Sequence, residues 1–297
     1  MYTQFFGNFL LNKGVLTSEQ LLDALKEKAT TKMKLGTLAI HEGMMTSNEV
    51  DNIVIMQTHQ NKRFGELAVE DGYLTPEQLD FLLTQQVPDY LLLGQILIEK
   101  GILTNSQFEN LIIDYQSENE IYDLDLHTEQ HEVIQKMLQR FCTFDDPKLS
   151  ERFSNYLELF FNNLIRFIGE DFTPLDPMPC SEYPAEYAVR QMIKGTTTVS
   201  SIIDIDEASA IGFASRYVGE PFVEFDEYVK ASLEDFLNLH NGLFIVNISN
   251  EFSEDLSLTP PEVRTRNTSL PLEENTFLIP LIYPFGTVHF IISVNRN

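Results

Sequence analysis

The residues best placed to do chemistry together are Glu234, Asp235 and Asn238, inside the stretch from Asp226 to Ile248 that reads DEYVKASLEDFLNLHNGLFIVNI. A carboxylate and an amide one helical turn apart supply no nucleophile, so their chemistry is orientation: they hold by hydrogen bond and charge a group that something else presents. Gly242, one turn beyond Asn238, leaves the backbone open to close approach. No Ser, His and Asp arrangement, no P-loop and no paired-cysteine metal spacing occurs in the chain. His127 and His131 stand at i and i+4, but the order H-T-E-Q-H puts the glutamate where a zinc protease cannot use it, and no metal site is assigned.

The element that must carry these side chains is an amphipathic helix. At 100° per residue, Val229, Leu233, Phe236, Leu237, His240, Leu243 and Phe244 fall on one side, and Ala231, Glu234, Asp235, Asn238 and Gly242 on the other. Asp226 is its expected N-cap. His240 lies on the apolar side and is read as packed, not as a catalytic base.

Beyond the helix, Pro261 follows Asn238 after 22 residues, with IIDIDEASAIGFASRYVGEP upstream and LSLTPPEV downstream. Together these resemble the CheX, CheC and FliY family of chemotaxis phosphatases. The family pattern is Asp or Ser, three residues, Glu, two residues, Asn, 22 residues, Pro. Here Asn238 and Pro261 match, Asp235 stands one methylene short at the Glu position, and Ala231 occupies the Asp-or-Ser position. Glu234, i−4 to Asn238, is a second carboxylate able to take the Glu role. The resemblance implies a phosphatase of a CheY-type receiver's aspartyl phosphate. In it the amide of Asn238 would orient the attacking water, the carboxylate of Asp235 or Glu234 would meet the receiver's lysine, and the phosphorylated partner would supply magnesium. The chain itself would bind no cofactor there.

Around that helix the sequence predicts an α+β domain over 148–297. LSERFSNYLELFFNNLIRFIG is a long amphipathic helix, and TPLDPMPCSEYPAE is a proline-rich crossing. Two β-branched strands meet at Lys194 and Gly195, and the helix DEASAIGFASRYVG closes at Gly219. The last strands end in a hairpin at Pro284 to Gly286. The resemblance implies two long helices across one extended, mainly antiparallel sheet.

The first 118 residues are a fourfold repeat, expected to form an all-α domain. Gly7, Gly36, Gly65 and Gly94 are spaced by 29, and so are Gly14, Gly43, Gly72 and Gly101. Thr17, Thr46, Thr75 and Thr104 each precede an acidic or amide residue and are the expected N-caps of the second helix in each unit. That helix carries the apolar pairs Leu21 and Leu25, Val50 and Val54, Leu79 and Leu83, Phe108 and Ile112. The repeat resembles the N-terminal domain of type II secretion and type IV pilus assembly ATPases, the MshE N-terminal family, some of whose members bind cyclic di-GMP. Only the second and third repeats carry a basic residue at the motif's start, so the resemblance places cyclic di-GMP, as an effector, on Lys34, Gly36, Gly43, Gln57, Arg63, Gly65, Gly72 and Gln86. The other reading is that the glycines serve helix packing and the domain is an adaptor. Residues 119–147 are expected to be an acidic linker and connecting helix.

With 20 basic against 45 acidic residues the formal charge is −25, which disfavours nucleic acid and anionic membrane as partners. The N-terminus lacks a signal-peptide pattern, no run of 18 apolar residues occurs, and the two cysteines, Cys142 and Cys180, suit a reducing compartment. A cytoplasmic location is expected. Two functions from different classes follow: the receiver phosphatase with a regulatory repeat domain, and a non-catalytic interaction protein linking a receiver or cyclic di-GMP to a motility, pilus or secretion system.

Overall fold

A computed structural model describes residues 3–28, 30–85, 89–118, 144, 146–266, 270 and 272–296. The stretch expected to hold the linker and connecting helix, with His127, His131 and Cys142, lies almost wholly outside the described residues, as does Gln86. The chain divides into two compact units, Tyr2–Leu124 and Asp125–Asn297. Its architecture is mixed helix and antiparallel sheet, with helices at the N-terminal end and the sheet in the C-terminal half. No helix among the described residues is long and apolar enough to cross a membrane.

The first unit is four helix pairs: α1 (Thr3–Asn12) and α2 (Ser18–Lys28), α3 (Leu35–His41) and α4 (Ser47–Gln57), α5 (Phe64–Glu70) and α6 (Pro76–Thr84), α7 (Asp89–Glu99) and α8 (Asn105–Glu118). Each second helix starts at a reciprocal cap. The Thr hydroxyl accepts from the backbone N–H three residues on, and that residue's carboxylate or amide accepts from the Thr N–H. Between the paired helices Gly14, Gly43, Gly72 and Gly101 all take positive φ, the left-handed geometry that ends a helix cheaply only in glycine. Leu21, Leu25, Val50, Phe108 and Ile112 are buried as the repeat predicts, but Val54 and Leu83 stay 49% and 66% exposed.

The other glycine set works by contact. A Cβ on Gly36 would meet Val50 at 2.8 Å, on Gly65 would meet Leu79 at 2.7 Å, and on Gly94 would overlap the Phe108 ring. In the second, third and fourth pairs the first helix therefore lies directly against its partner's apolar side chain. Alanine at Gly94 gains about 1 kcal/mol of helix propensity but must displace a fully buried ring, an overpacking cost of about 1–3 kcal/mol. Gly94→Ala is expected to lower the denaturation midpoint of this unit, whereas Gly242→Ala in the second unit, where a Cβ meets nothing within 4 Å, is expected to raise stability. Chemical denaturation followed by circular dichroism measures both signs.

The second unit is built on an antiparallel sheet of eight strands: β1 (Thr173–Pro174), β2 (Met178–Pro179), β3 (Tyr187–Lys194), β4 (Thr197–Ile205), β5 (Ser257–Leu258), β6 (Glu262–Thr265), β7 (Thr276–Tyr283) and β8 (Gly286–Arg296). Its order is β1-β7-β8-β4-β3-β5, with β2 also on β7 and β6 also on β3. The proline-rich crossing carries the two-residue strands β1 and β2. Helices α9 (Pro147–Phe167), α10 (Glu207–Val218) and α11 (Glu227–Phe252) cover the face that presents Val189 and Gln191 of β3, Ser201 and Ile203 of β4, and Phe290 and Ile292 of β8. Aromatic rings fill the layer between helices and sheet. Phe160 of α9 stacks on Phe290 with centroids 3.8 Å apart, and Phe236 of α11 meets Phe160 and Phe213 edge-on. The opposite face holds a smaller cluster of Ala185, Ala188, Ile202, Leu270 and Ile291.

Candidate functional site

Helix α11 owes its position to its N-cap and to a buried stripe along its own sequence. Asp226 caps it by accepting from the N–H groups of Tyr228 and Val229, and Val229, Leu233, Phe236, Leu237 and Phe244 are all buried. The expectation fails at Leu243, which is 38% exposed. The buried stripe follows the width of the sheet and of α9, not the full apolar arc. Ala231, Asp235 and Asn238 face outward, and Glu234 is half-buried beside them.

Two neighbours fix the chemistry-bearing side chains. Gln191 of β3, beneath the helix, donates from Nε2 to Asn238 Oδ1 at 2.8 Å. Tyr217, near the end of α10, donates its hydroxyl to Asp235 Oδ2 at 2.7 Å. Burial first, and then this hydrogen bond, push the Tyr217 phenol well above its usual value, so it stays a donor.

Pro261 arrives by a break in the sheet edge. β5 and β6 both pair with β3, and between them Thr259 donates its N–H to the Met192 carbonyl and accepts from the Met192 N–H through its hydroxyl. Pro260 and Pro261, which can donate no ladder bond, follow at that gap on the outermost strand, where proline is tolerated. Tyr217, Ala231, Glu234, Asp235, Asn238 and Pro261 thus line one open depression of about 620 Å³, with Val218 and Tyr228 as exposed apolar rim. Gly242, a turn away, does not line it.

Below the depression the polar chain continues inward. Gln191 Nε2 also donates to the Thr259 carbonyl at 2.9 Å, Gln191 Oε1 accepts from Asn241 Nδ2 at 2.9 Å, and Asn241 Oδ1 accepts from the Tyr156 hydroxyl. Gln191, Tyr217 and Asn241 were not among the residues singled out from the sequence. The only trace of Gln191 is an uncharged amide in the otherwise apolar half of YAVRQMIK, and of Asn241 a polar residue beside His240 on the packed side.

No family model matches the chain, and no curated protein matches it. Among solved structures, a CheC-like superfamily protein from Shewanella sp. PV-4 is similar at 16% identity and a TM-score of 0.43, over 49% of this chain and 97% of that one. A chain of the CheX-CheY-BeF3-Mg+2 complex from Borrelia burgdorferi is similar at 19% identity and a TM-score of 0.41, over 49% of this chain and 98% of that one. CheX from Vibrio vulnificus is similar at 19% and 0.42, over 49% and 99%. The likeness is one of fold, and it lies in the C-terminal half.

His240 is fully buried, with Nδ1 3.0 Å from Asn163 Nδ2 and Tyr156 and Phe160 edge-on to its ring. It is a packed residue, and burial lowers its pKa to about 3. The unfolded chain would take up the proton near pH 6.5 while the folded one does not, so stability is complete above that pH and falls as pH drops toward 3. From about pH 6.5 to about pH 5 this one group is expected to cost about 2 kcal/mol. Urea midpoints for wild type and His240→Gln across that window check the slope, which should be shallower in the variant.

In the repeat unit the expected nucleotide ligands are spread over different tasks. Lys34 Nζ pairs with Glu99 at 2.8 Å, and Gln57 donates to the Lys62 carbonyl. Gly36 and Gly65 are packing contacts, and Gly43 and Gly72 end helices. Arg63 precedes α5, is exposed, and makes no ion pair among the described residues. Gln86 lies outside the described residues, and no three His, Cys, Asp or Glu side chains gather into a metal site among them.

Proposed function

We propose that the C-terminal unit is a phosphatase of a CheY-type receiver domain, docking its depression over the partner's aspartyl phosphate. What carries the reading is that Ala231, Glu234, Asp235, Asn238 and Pro261, set by a spacing of 22 residues between the last two, line one solvent-open depression with an apolar rim. The reaction needs no nucleophile from this chain. A water held at Asn238 attacks phosphorus in line and its oxygen forms the new P–O bond; the P–O bond to the partner's aspartate breaks, the aspartate leaves as carboxylate, and the water's proton goes to the phosphate. The phosphorylated partner would supply the magnesium that stabilises the charge. Asp235 commits one carboxylate oxygen to Tyr217, and in this reading its other oxygen, or Glu234 on the same depression, meets a lysine of the partner. Decay of an acetyl-phosphate-labelled CheY-type receiver, with and without the protein, tests the activity. Binding without faster decay would make the unit a docking module that lacks turnover, for which the short Asp235 and the bare Ala231 would be the cause.

The repeat unit takes the regulatory or adaptor part in this reading. Of the two basic groups at the expected nucleotide positions, Arg63 is the one with no ion pair among the described residues, and it bears on cyclic di-GMP. Calorimetric heat at submillimolar cyclic di-GMP that disappears in Arg63→Ala supports an effector site there, and no heat leaves an adaptor.

A further inference from the structure

The direction of one chain of hydrogen bonds decides which end of the Asn238 amide faces the depression. The carbonyl oxygen of Thr259 can only accept, so Gln191 must turn Nε2 toward it, at 2.9 Å. That nitrogen's second proton goes to Asn238, at 2.8 Å, and the atom receiving it must be Oδ1. Gln191 Oε1 is thereby turned the other way, toward Asn241 Nδ2 at 2.9 Å, and Asn241 Oδ1 is left to accept from Tyr156. Gln191 is 1% exposed and Asn241 fully buried, so neither amide can exchange a misdirected contact for water. Turning Gln191 over would set its oxygen against both the Thr259 carbonyl and Asn238 Oδ1, and its nitrogen against Asn241 Nδ2. A single backbone carbonyl thus sets the polarity of the whole relay.

We propose that Gln191 is a positioning residue that locks the Asn238 amide with Oδ1 inward and Nδ2 outward, so that Asn238 meets the reacting group as a hydrogen-bond donor. The two outward protons fit an oxygen lone pair, that of the attacking water or of the transferring phosphoryl group. The identity of that oxygen rests on the phosphatase reading. The orientation of the amide does not.

The test has two arms. In the first, the full chain labelled with nitrogen-15 reports the order parameter of the Asn238 side-chain NH2, assigned by its loss in Asn238→Ala. The relay requires a value near that of rigid backbone in wild type, falling below about 0.6 in Gln191→Met, which keeps length but donates nothing. A mobile amide in wild type, or an unchanged one in Gln191→Met, overturns the proposal, and the wild-type value decides it even if that variant does not fold. In the second arm, an acetyl-phosphate-labelled CheY-type receiver is the substrate. Asn238→Asp keeps an acceptor toward Gln191 but replaces the outward donor, so it should be as slow as Asn238→Ala, and Gln191→Met should lose about 10- to 100-fold in kcat with KM within about twofold. An Asn238→Asp variant with more than about half of wild-type activity overturns the donor role. If wild type accelerates no receiver, the phosphatase reading fails while the first arm still decides whether Gln191 holds the Asn238 amide in place.

Discussion

Asn238→Ala is expected to return receiver dephosphorylation to the receiver's own rate, a loss of about 100-fold or more, while the protein stays folded. The size of the effect follows from what the residue would do. With no nucleophile and no metal from this chain in the reaction, holding one water in line is nearly the whole of its contribution, and alanine holds nothing. The small cost in stability follows from its place. Asn238 is exposed and hydrogen-bonded to Gln191. That bond is worth about 1 kcal/mol, and alanine recovers part of it as helix propensity. Gln191 keeps the Thr259 carbonyl as a partner, so the buried amide is not orphaned. Single-turnover decay of the phosphorylated receiver, beside a thermal melt of each protein, separates catalysis from folding. Equal decay with wild type and variant, at equal stability, would leave the unit a binding module. Asp235→Glu sharpens the result. It restores the longer carboxylate of the resembling family, and activity should rise if length is what Asp235 lacks.

Phe160→Ala is expected to cost the C-terminal unit about 3–5 kcal/mol. The ring is fully buried, stacks on Phe290 at 3.8 Å, and meets both His240 at 5.2 Å and Phe236 at 6.2 Å. Its removal opens a void between α9, the sheet and α11. At about 2–4 °C per kcal/mol for a domain of this size, the melting temperature should drop by about 6–20 °C. A shift under about 2 °C would mean that the α9 and α11 layers are not packed through this ring. Because His240 is one turn from Phe236 and two residues from Asn238, activity should suffer at temperatures well below the new midpoint, as the floor of α11 loosens before the unit melts.

Much of this molecule is written in local pattern. The positions of α9, α10 and α11, the pair of strands about Lys194 and Gly195, the hairpin at Pro284, and the four Thr caps all depend on interactions within a few residues, and each was readable from periodicity, capping residues and turn chemistry. The two glycine sets of the repeat were visible as a period, but not their division of labour. Positive φ at Gly43 and its equivalents belongs to the turn itself, whereas the need for Gly94 exists only because Phe108 of the next helix lies on it.

The candidate site divides in the same way. Asn238, Asp235 and Glu234 share a helix face, which period alone determines, and so they could be named from the sequence. Gln191 and Tyr217 come from a strand and a helix that pack on α11 from below and beside it, and nothing in their own neighbourhoods marks them, because the partner atoms that give them a role lie 47 and 18 residues away. The strands β1 and β2 escaped for the same reason: two residues have no period, and they become strands only where β7 offers an edge. Pro261 was legible as a spacing, but its place beside Asn238 depends on the gap in the β3 edge that Thr259 bridges. Local chemistry chose which side chains face outward, and the long-range packing of sheet on helix decided which way each of them points.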